Sequence, residues 1–284
     1  MTCRLLIVAL SLLAYAVSEA AAPLRVMSFN VRYGTAPDGD NHWEQRRRSV
    51  VDTIEAFGPD LLGVQEAIDF QVRYLQEELR SYVGFGRSRS TIPDEQCAVF
   101  YREDRFTRLA GGHFWLSETP ESPGSIGWDA EYPRVATWVL LHDLRGGPPV
   151  LMLNTHFDHR GEHARRRSSE LLVERLAALR AIVDDSRLVV MGDFNSEANS
   201  AAYRTLVAPA SGLRDAYRAA RPERSPKEGT FNGFALNRAS SRRIDWILMG
   251  NSLKAADARI IRTAYDGRYP SDHFPVTAEL HTAP

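Results

Sequence analysis

The chain has 284 residues, 44% hydrophobic and 25% charged, the balance of a folded globular protein; this excludes a disordered or collagen-like chain. Lys and Arg total 35 against 36 Asp and Glu, a formal net charge of -1. That removes the global electrostatic case for a dedicated duplex binder, although a local basic cleft stays open. Near its start the chain carries Arg4, the apolar stretch Leu5 to Val17 and then Ser18-Glu19-Ala20, with small residues at Ser18 and Ala20. This order predicts a secretory signal over residues 1–20, cut after Ala20 in preference to Ala22, and an exported protein, periplasmic or secreted. The stretch is too short to span a bilayer as a mature helix, so the mature chain is expected to carry no transmembrane segment. One cysteine then remains, Cys97, which can form no internal disulfide and reads as a small packed hydrophobe. Export without disulfides suits a bacterial periplasm or exterior.

Strand-like runs open the mature chain at Leu24 to Val31 and Asp60 to Gln65. Between them Val50, Val51, Ile54 and Phe57 share one face of a helix over Trp43 to Phe57, which Gly58-Pro59 ends. A second helix is expected over Phe70 to Leu79. Further strands are expected over 96–101, 135–141, 150–155, 188–191, 244–249 and 274–280. A long helix over His163 to Val183 carries Leu171, Leu172, Leu176, Leu179 and Ile182 at helical spacing. Loops fall at 34–42, 84–95, 117–133, 143–149, 196–200 and 221–240. No linker, repeat or low-complexity segment divides residues 21–284, so one domain is expected. Strands and helices in both halves suggest two similar layered halves packed through their sheets.

Polar residues sit at the ends of these strands. Asn30 follows Val26 to Phe29, Glu66 follows Leu61 to Gln65, and His156 follows Leu151 to Thr155. Asp193 and Asn195 follow Leu188 to Met191, and two residues apart on an extended chain they point to one side. Asp245 interrupts the apolar run Ile244, Trp246, Ile247, Leu248, and Asp272 and His273 precede Phe274-Pro275-Val276. Each alone has a plain reading: a helix cap for Glu66, a turn for Asn30, a hydrogen-bonded core residue for His156. Asp245 resists one, because a buried carboxylate costs several kcal/mol unless paired, and histidine is its natural partner. As a set, oxygen donors for Mg²⁺, Mn²⁺ or Ca²⁺ stand with two histidines able to move protons near neutral pH. That combination serves metal-assisted, in-line attack of water on phosphorus.

Six segments in this order resemble the motif set of the endonuclease/exonuclease/phosphatase superfamily: Ser28-Phe29-Asn30, Val64-Gln65-Glu66, Asn154-Thr155-His156, Gly192-Asp193-Phe194-Asn195, Arg243-Ile244-Asp245-Trp246-Ile247 and Ser271-Asp272-His273-Phe274-Pro275-Val276. The resemblance spans about residues 24–281. It implies an α/β fold, a four-layered α/β/β/α sandwich of two packed mixed sheets flanked by helices, and Mg²⁺-dependent phosphoester hydrolysis, with Mn²⁺ or Ca²⁺ as substitutes. It also implies roles. Asn30 and Glu66 would hold the metal with Asp272 helping; Asp193 would align or activate the water; Asn195 would contact the phosphate. Asp245 would orient a histidine, and His156 and His273 would bind the phosphate and shuttle protons. The Asn-Thr-His segment is closer to the deoxyribonuclease type than to the abasic-site type.

Segments 38–47, 112–120 and 127–134 are similar to an exported bacterial branch of that family. Arg134 stands where the family often places a phosphate-contacting group. Trp43 and Trp115 read first as core or loop anchors, but near the expected mouth they suit a ring-bearing substrate; Trp128 does the same. Arg46-Arg47-Arg48 and Arg165-Arg166-Arg167 read as solvated helix faces from which one side chain could reach an anion. The leading expectation is a monomeric exported phosphoesterase acting on a phosphomonoester or phosphodiester of a sugar, inositol, nucleotide or lipid head group. The alternative is an exported nuclease cutting DNA or RNA. A non-catalytic binding module would require loss of a site position, and none is lost. A glycosidase would leave the Asn and His residues unexplained.

Overall fold

The computed structural model describes residues 22–183, 186–236 and 242–283. The predicted signal segment lies outside the described residues. In chain order the elements are β1 (Leu24–Asn30), α1 (Trp43–Phe57), β2 (Leu61–Gln65), α2 (Asp69–Glu78), β3 (Tyr82–Phe85), β4 (Val99–Arg102), β5 (Phe106–Trp115), β6 (Val135–Asp143), β7 (Val150–His156), α3 (Glu162–Ile182), β8 (Arg187–Asp193), α4 (Ala201–Leu206), β9 (Leu213–Asp215), α5 (Ala216–Ala220), β10 (Asp245–Gly250), β11 (Leu253–Ile260) and β12 (Val276–Thr282). Two short 3-10 turns accompany them. The helix over Trp43 to Phe57 has the predicted bounds, and Gly58 closes it in the left-handed region with its N–H on the Ile54 carbonyl.

The strands form two six-stranded mixed sheets, ordered β11-β12-β1-β2-β4-β3 and β5-β6-β7-β8-β10-β9. Their apolar runs are continuous because both faces are covered. Successive residues go to opposite sides. In β1 Val26 faces the other sheet while Met27 and Phe29 face α1 and α2; in β8 Val189 and Met191 face inward while Leu188 and Val190 face α3 and α4. One apolar layer thus fills the space between the sheets and one more lies under the helices on each outer side, giving the four-layered sandwich.

β5, β3, β9 and β11 were not expected, nor were the short α4 and α5. All four of these strands are sheet edges. Edge strands are short or carry polar and small residues, which weakens the alternation that marks a strand. β11 reads Lys254-Ala255-Ala256-Asp257, and most of β5 is exposed around Gly111-Gly112.

A buried polar staple ties the two sheets beneath one rim. Asn154 on β7 donates from Nδ2 to the carbonyls of Val64 and Ala98, both 2.8 Å, and its Oδ1 accepts from Gln65 Nε2 at 2.6 Å. Gly63 makes room for it, since a Cβ there would lie 2.8 Å from the Asn154 amide. Gly192 is required for a similar reason: a Cβ would meet the Thr155 carbonyl at 2.1 Å.

Candidate active site

Strand direction brings the polar residues to one place. β1 and β2 are parallel, as are β7 and β8, so Asn30, Glu66, His156 and Asp193 all lie at C-terminal strand ends. β10 runs antiparallel to β8 with Asp245 opposite Asp193, and β12 runs antiparallel to β1 with Val276 opposite Ser28. Their starts therefore reach the same rim, carrying Asp245, Asp272 and His273. The rim surrounds a cavity of about 700 Å³ whose wall includes Glu66, His156, Asp193, Asn195, Asp272, His273 and Arg134. Its volume is that of an ordinary small-molecule site.

Asp193 is the centre. Its Oδ2 lies 3.6 Å from His156 Nε2 and 3.7 Å from His273 Nε2, and it accepts from Asn30 Nδ2 at 3.0 Å across the two sheets. Its Oδ1 accepts the backbone N–H of Asn195 at 2.9 Å. Asn195 Nδ2 is 3.0 Å from His156 Nε2 and donates to the Phe157 carbonyl. Three residues of this wall, Arg32, Glu66 and Asn195, hold left-handed backbone angles (φ 62°, 62° and 46°). Non-glycine residues keep such angles where surrounding structure over-determines them, as it does at functional sites.

Asp245 is buried in its strand and pairs with His273, Oδ2 to Nδ1 at 2.9 Å. Burial works to lower the His273 pKa, but Asp245, Asp193 and Asp272 outweigh it and raise it well above the ordinary value. These carboxylates favour the charged form of the imidazole. Burial raises the Asp272 carboxyl to about 6, with Glu66 adding to the rise, while His273, Arg32 and Arg46 act against it.

His156 has its own carboxylate, Glu95, at 3.1 Å from Nδ1. Glu95 lies in the segment 84–95, expected as a loop, where a carboxylate is ordinary and gives no signal of its own. Burial opposes ionisation of Glu95, yet His156, Arg134 and Arg89 hold its carboxyl far below the usual range. The available signal was position: Glu95 leads into β4, which runs antiparallel to β2, so it arrives at the same rim.

Glu66, His156 and Asp193 each direct one ligand atom so that all three lie within 4.8 Å of one another, and the buried Asp245 Oδ1 has no hydrogen-bond partner. Clustered buried carboxylates need a compensating cation, and oxygen donors take hard divalent ions. The residues therefore fit such an ion. Asp193 thus joins the donor set, whereas Asp272 stands 3.7 Å from the Arg32 guanidinium. Asn30 stands between the candidate ligands: Nδ2 donates to Glu66 Oε1 and Asp193 Oδ2, and Oδ1 accepts from the Arg32 N–H.

Arg134 lines the cavity but is buried and committed. It bonds Glu95 at 3.1 Å and the His159 ring at 3.2 Å, with Asp158 3.5 Å away. Trp43 and Trp115 must be corrected as substrate contacts. Trp43, the first residue of α1, is buried against Tyr74, and Trp115 is buried with its indole N–H on the Arg89 carbonyl. Neither reaches the cavity, because both large apolar side chains serve better inside. Trp128 is half-buried with the Arg167 guanidinium over its ring. Arg46 is no solvated side chain either: its guanidinium is buried on the carbonyls of Val31, Arg32, Asn41 and Pro270 and ties α1 to the loops behind the rim. Arg166 and Arg167 pair with Glu170, as a solvated face would. Cys97 is buried, and burial pushes its thiol well above the ordinary value, so it takes no part.

This fold and this rim define a metal-dependent hydrolase of phosphoric esters. The sequence pattern of the Endonuclease/Exonuclease/phosphatase family matches residues 27–273, and the chain belongs to that family. A family protein of Bacteroides thetaiotaomicron is similar in structure, with 33% identity, TM-score 0.85, and coverage of 92% of this chain and 95% of that one. A mannosyl-6-phosphatase of the same organism is also 33% identical, with TM-score 0.83 over 90% of this chain and 99% of that one. Mouse nocturnin is 24% identical over 91% of this chain, which spans 64% of nocturnin's length.

Proposed function

We propose that the protein is an exported, Mg²⁺-dependent phosphoesterase acting on a small or medium organic phosphate, with Mn²⁺ or Ca²⁺ able to replace Mg²⁺, and that it works as a monomer. The observation that carries the small-substrate reading is the charge of the cavity wall. Five carboxylates (Glu66, Asp94, Glu95, Asp193, Asp272) face four guanidiniums (Arg32, Arg89, Arg134, Arg242). The arginines are themselves paired: Arg32 with Asp38, Arg89 with Asp94, Arg134 with Glu95, Arg242 with Glu197. Such a wall has no cationic surplus for a polyanionic backbone. A divalent ion and His273 in its charged form supply the charge one phosphate group needs. Similarity to a mannosyl-6-phosphatase supports a sugar phosphomonoester within this class.

A bound ion would neutralise charge on the phosphoryl oxygens, held by Glu66 with Asp193 and His156 beside it. Asp193, standing between the two imidazoles, orients the attacking water and takes its proton. His273, fixed by Asp245, donates to a phosphoryl oxygen while the bond from phosphorus to the alcohol oxygen breaks, and the departing alcohol takes up a proton that balances the one Asp193 accepted. Glu95 fixes His156 so that its Nε2 faces the same space. Asn195 contributes an amide N–H beside that nitrogen.

The nuclease reading drew on the Asn-Thr-His segment. Asn154 is buried between the sheets, so that part of the motif supports the fold and does not bear on substrate. Asp193→Ala and His273→Ala test the assignment. Each is expected to reduce turnover of a chromogenic phosphomonoester by about 10²–10⁴-fold with the fold intact by circular dichroism. Near-full activity in both would place the chemistry elsewhere.

A further inference from the structure

The Asp245–His273 pair joins two separate elements: Asp245 begins β10, and His273 precedes β12. Both are held by a third segment, within the stretch 221–240 that was expected as a loop. Its Thr230 is wholly buried. Thr230 Oγ1 accepts the backbone N–H groups of Ile244 at 3.0 Å and Asp245 at 3.2 Å, and the Thr230 carbonyl accepts the N–H of Phe274 at 2.7 Å. The next two residues extend the clamp. Phe231 pairs with His273 in an antiparallel bridge, its ring 5.1 Å from the imidazole, and Asn232 donates its N–H to the Asp272 carbonyl at 2.7 Å. Thr230 thus grips the Asp245 side with its side chain and the His273 side with its backbone.

A hydroxyl offers two lone pairs and one proton. Two N–H groups use the lone pairs of Thr230, which leaves its proton for a further acceptor, and the hydroxyl helps His273 to stabilise the Asp245 carboxylate. We infer that Thr230 is a positioning residue for the reaction: its hydroxyl fixes the start of β10 and the carboxylate of Asp245 so that His273 presents Nε2 to the phosphate. The inference rests on the phosphoesterase reading, in which His273 acts on the phosphate, and adds a residue outside the cavity wall. The backbone bonds of Thr230 could be made by any residue, but the side-chain oxygen could not. Without it the two buried N–H groups lose their acceptor, and the strand start that carries Asp245 is free to shift.

The test is kcat and KM for a chromogenic phosphomonoester with Mg²⁺ in wild type, Thr230→Val, Thr230→Ser, His273→Ala and the Thr230→Val/His273→Ala double variant. Thr230→Val is expected to lower kcat roughly 10–100-fold with KM within about threefold, since small displacements of a reacting group cost that much. Thr230→Ser keeps the hydroxyl and is expected to stay close to wild type. In the His273→Ala background Thr230→Val is expected to cost nothing more, because a residue that acts through His273 has nothing left to act on. A second readout is independent of turnover: the low-field proton NMR signal of the His273 ring N–H, identified by its absence in His273→Ala, is expected to shift in Thr230→Val and to hold its place in Thr230→Ser. Wild-type kcat in Thr230→Val, an equal loss in both backgrounds, an equal loss in Thr230→Ser or an unmoved signal overturns the inference and leaves the phosphoesterase reading standing. No turnover in wild type, or full activity in His273→Ala, overturns that reading and the inference with it. Thr230→Ala, which leaves room for a water on the two N–H groups, carries the same comparison if Thr230→Val fails to fold. Failure of both to fold assigns Thr230 to the fold alone and overturns the inference.

Discussion

Replacing Asn154 by alanine removes three buried hydrogen bonds between the sheets at once. Two are donated to the Val64 and Ala98 carbonyls at 2.8 Å and one is accepted from Gln65 at 2.6 Å. A buried hydrogen bond contributes about 0.5–1.5 kcal/mol net. Gln65 Nε2 keeps weaker partners in Ser28 Oγ at 3.2 Å and the Gly63 carbonyl at 3.3 Å, which limits the penalty for its lost acceptor. The loss expected is therefore about 2–4 kcal/mol, read by urea denaturation, or a fall in Tm of roughly 5–15 °C at this chain length. Asn154→Asp sharpens the test, because it keeps the shape and turns two donors into acceptors facing two carbonyls. It should be at least as damaging as the alanine variant near neutral pH. A loss under about 1 kcal/mol in Asn154→Ala, or wild-type stability in Asn154→Asp, would refute the staple.

Glu95→Gln leaves Arg89, Arg134 and His156 without their shared carboxylate; it should lower stability by about 3–5 kcal/mol and kcat by about 10²-fold, measured on folded protein at low temperature. Gly192→Ala drives a methyl group into the Thr155 carbonyl, and a loss of about 1–3 kcal/mol or more is expected in the same denaturation assay. His113 gives a pH effect away from the active site. Burial, with Arg87 and Arg108 nearby, lowers its pKa from 6.5 to about 4. The unfolded chain then takes up a proton first as pH falls, so stability is full above 6.5 and declines toward pH 4. Since the ring is only partly shielded from water, the decline is about 1–2 kcal/mol, and His113→Gln should lack it when denaturation is compared at pH 7 and pH 4.

What could be read from the sequence follows burial. The strands that lie within the sheets have apolar runs on both faces, and β1, β2, β7, β8 and β10 were legible within a few residues. The edges were not, because β3, β5, β9 and β11 need no such run. The site residues at strand ends were legible for the same reason: a polar residue closing an apolar run is conspicuous. Glu95, Arg89 and Asp94 come from the irregular segment before β4, where polar residues are ordinary, and only the fold shows that the segment turns into the rim. The tryptophans misled in the other direction. Trp43 begins a helix near the rim in sequence, but its first turn packs inward, so nearness along the chain did not give exposure. Arg46 sits in a basic run that looks solvated, yet backbone carbonyls at a loop junction gave its guanidinium a buried set of acceptors.

The central claim is that this rim hydrolyses small phosphate esters with a divalent cation. The most direct measurement follows release of product from a chromogenic phosphomonoester, a chromogenic phosphodiester and plasmid DNA. Each is incubated with the protein after chelation and again after addition of Mg²⁺, with Asp193→Ala in parallel. Cleavage of a small ester that appears only with Mg²⁺ and is lost in Asp193→Ala, with the plasmid intact, is the predicted result. Metal-dependent nicking of the plasmid with both small esters untouched would contradict it.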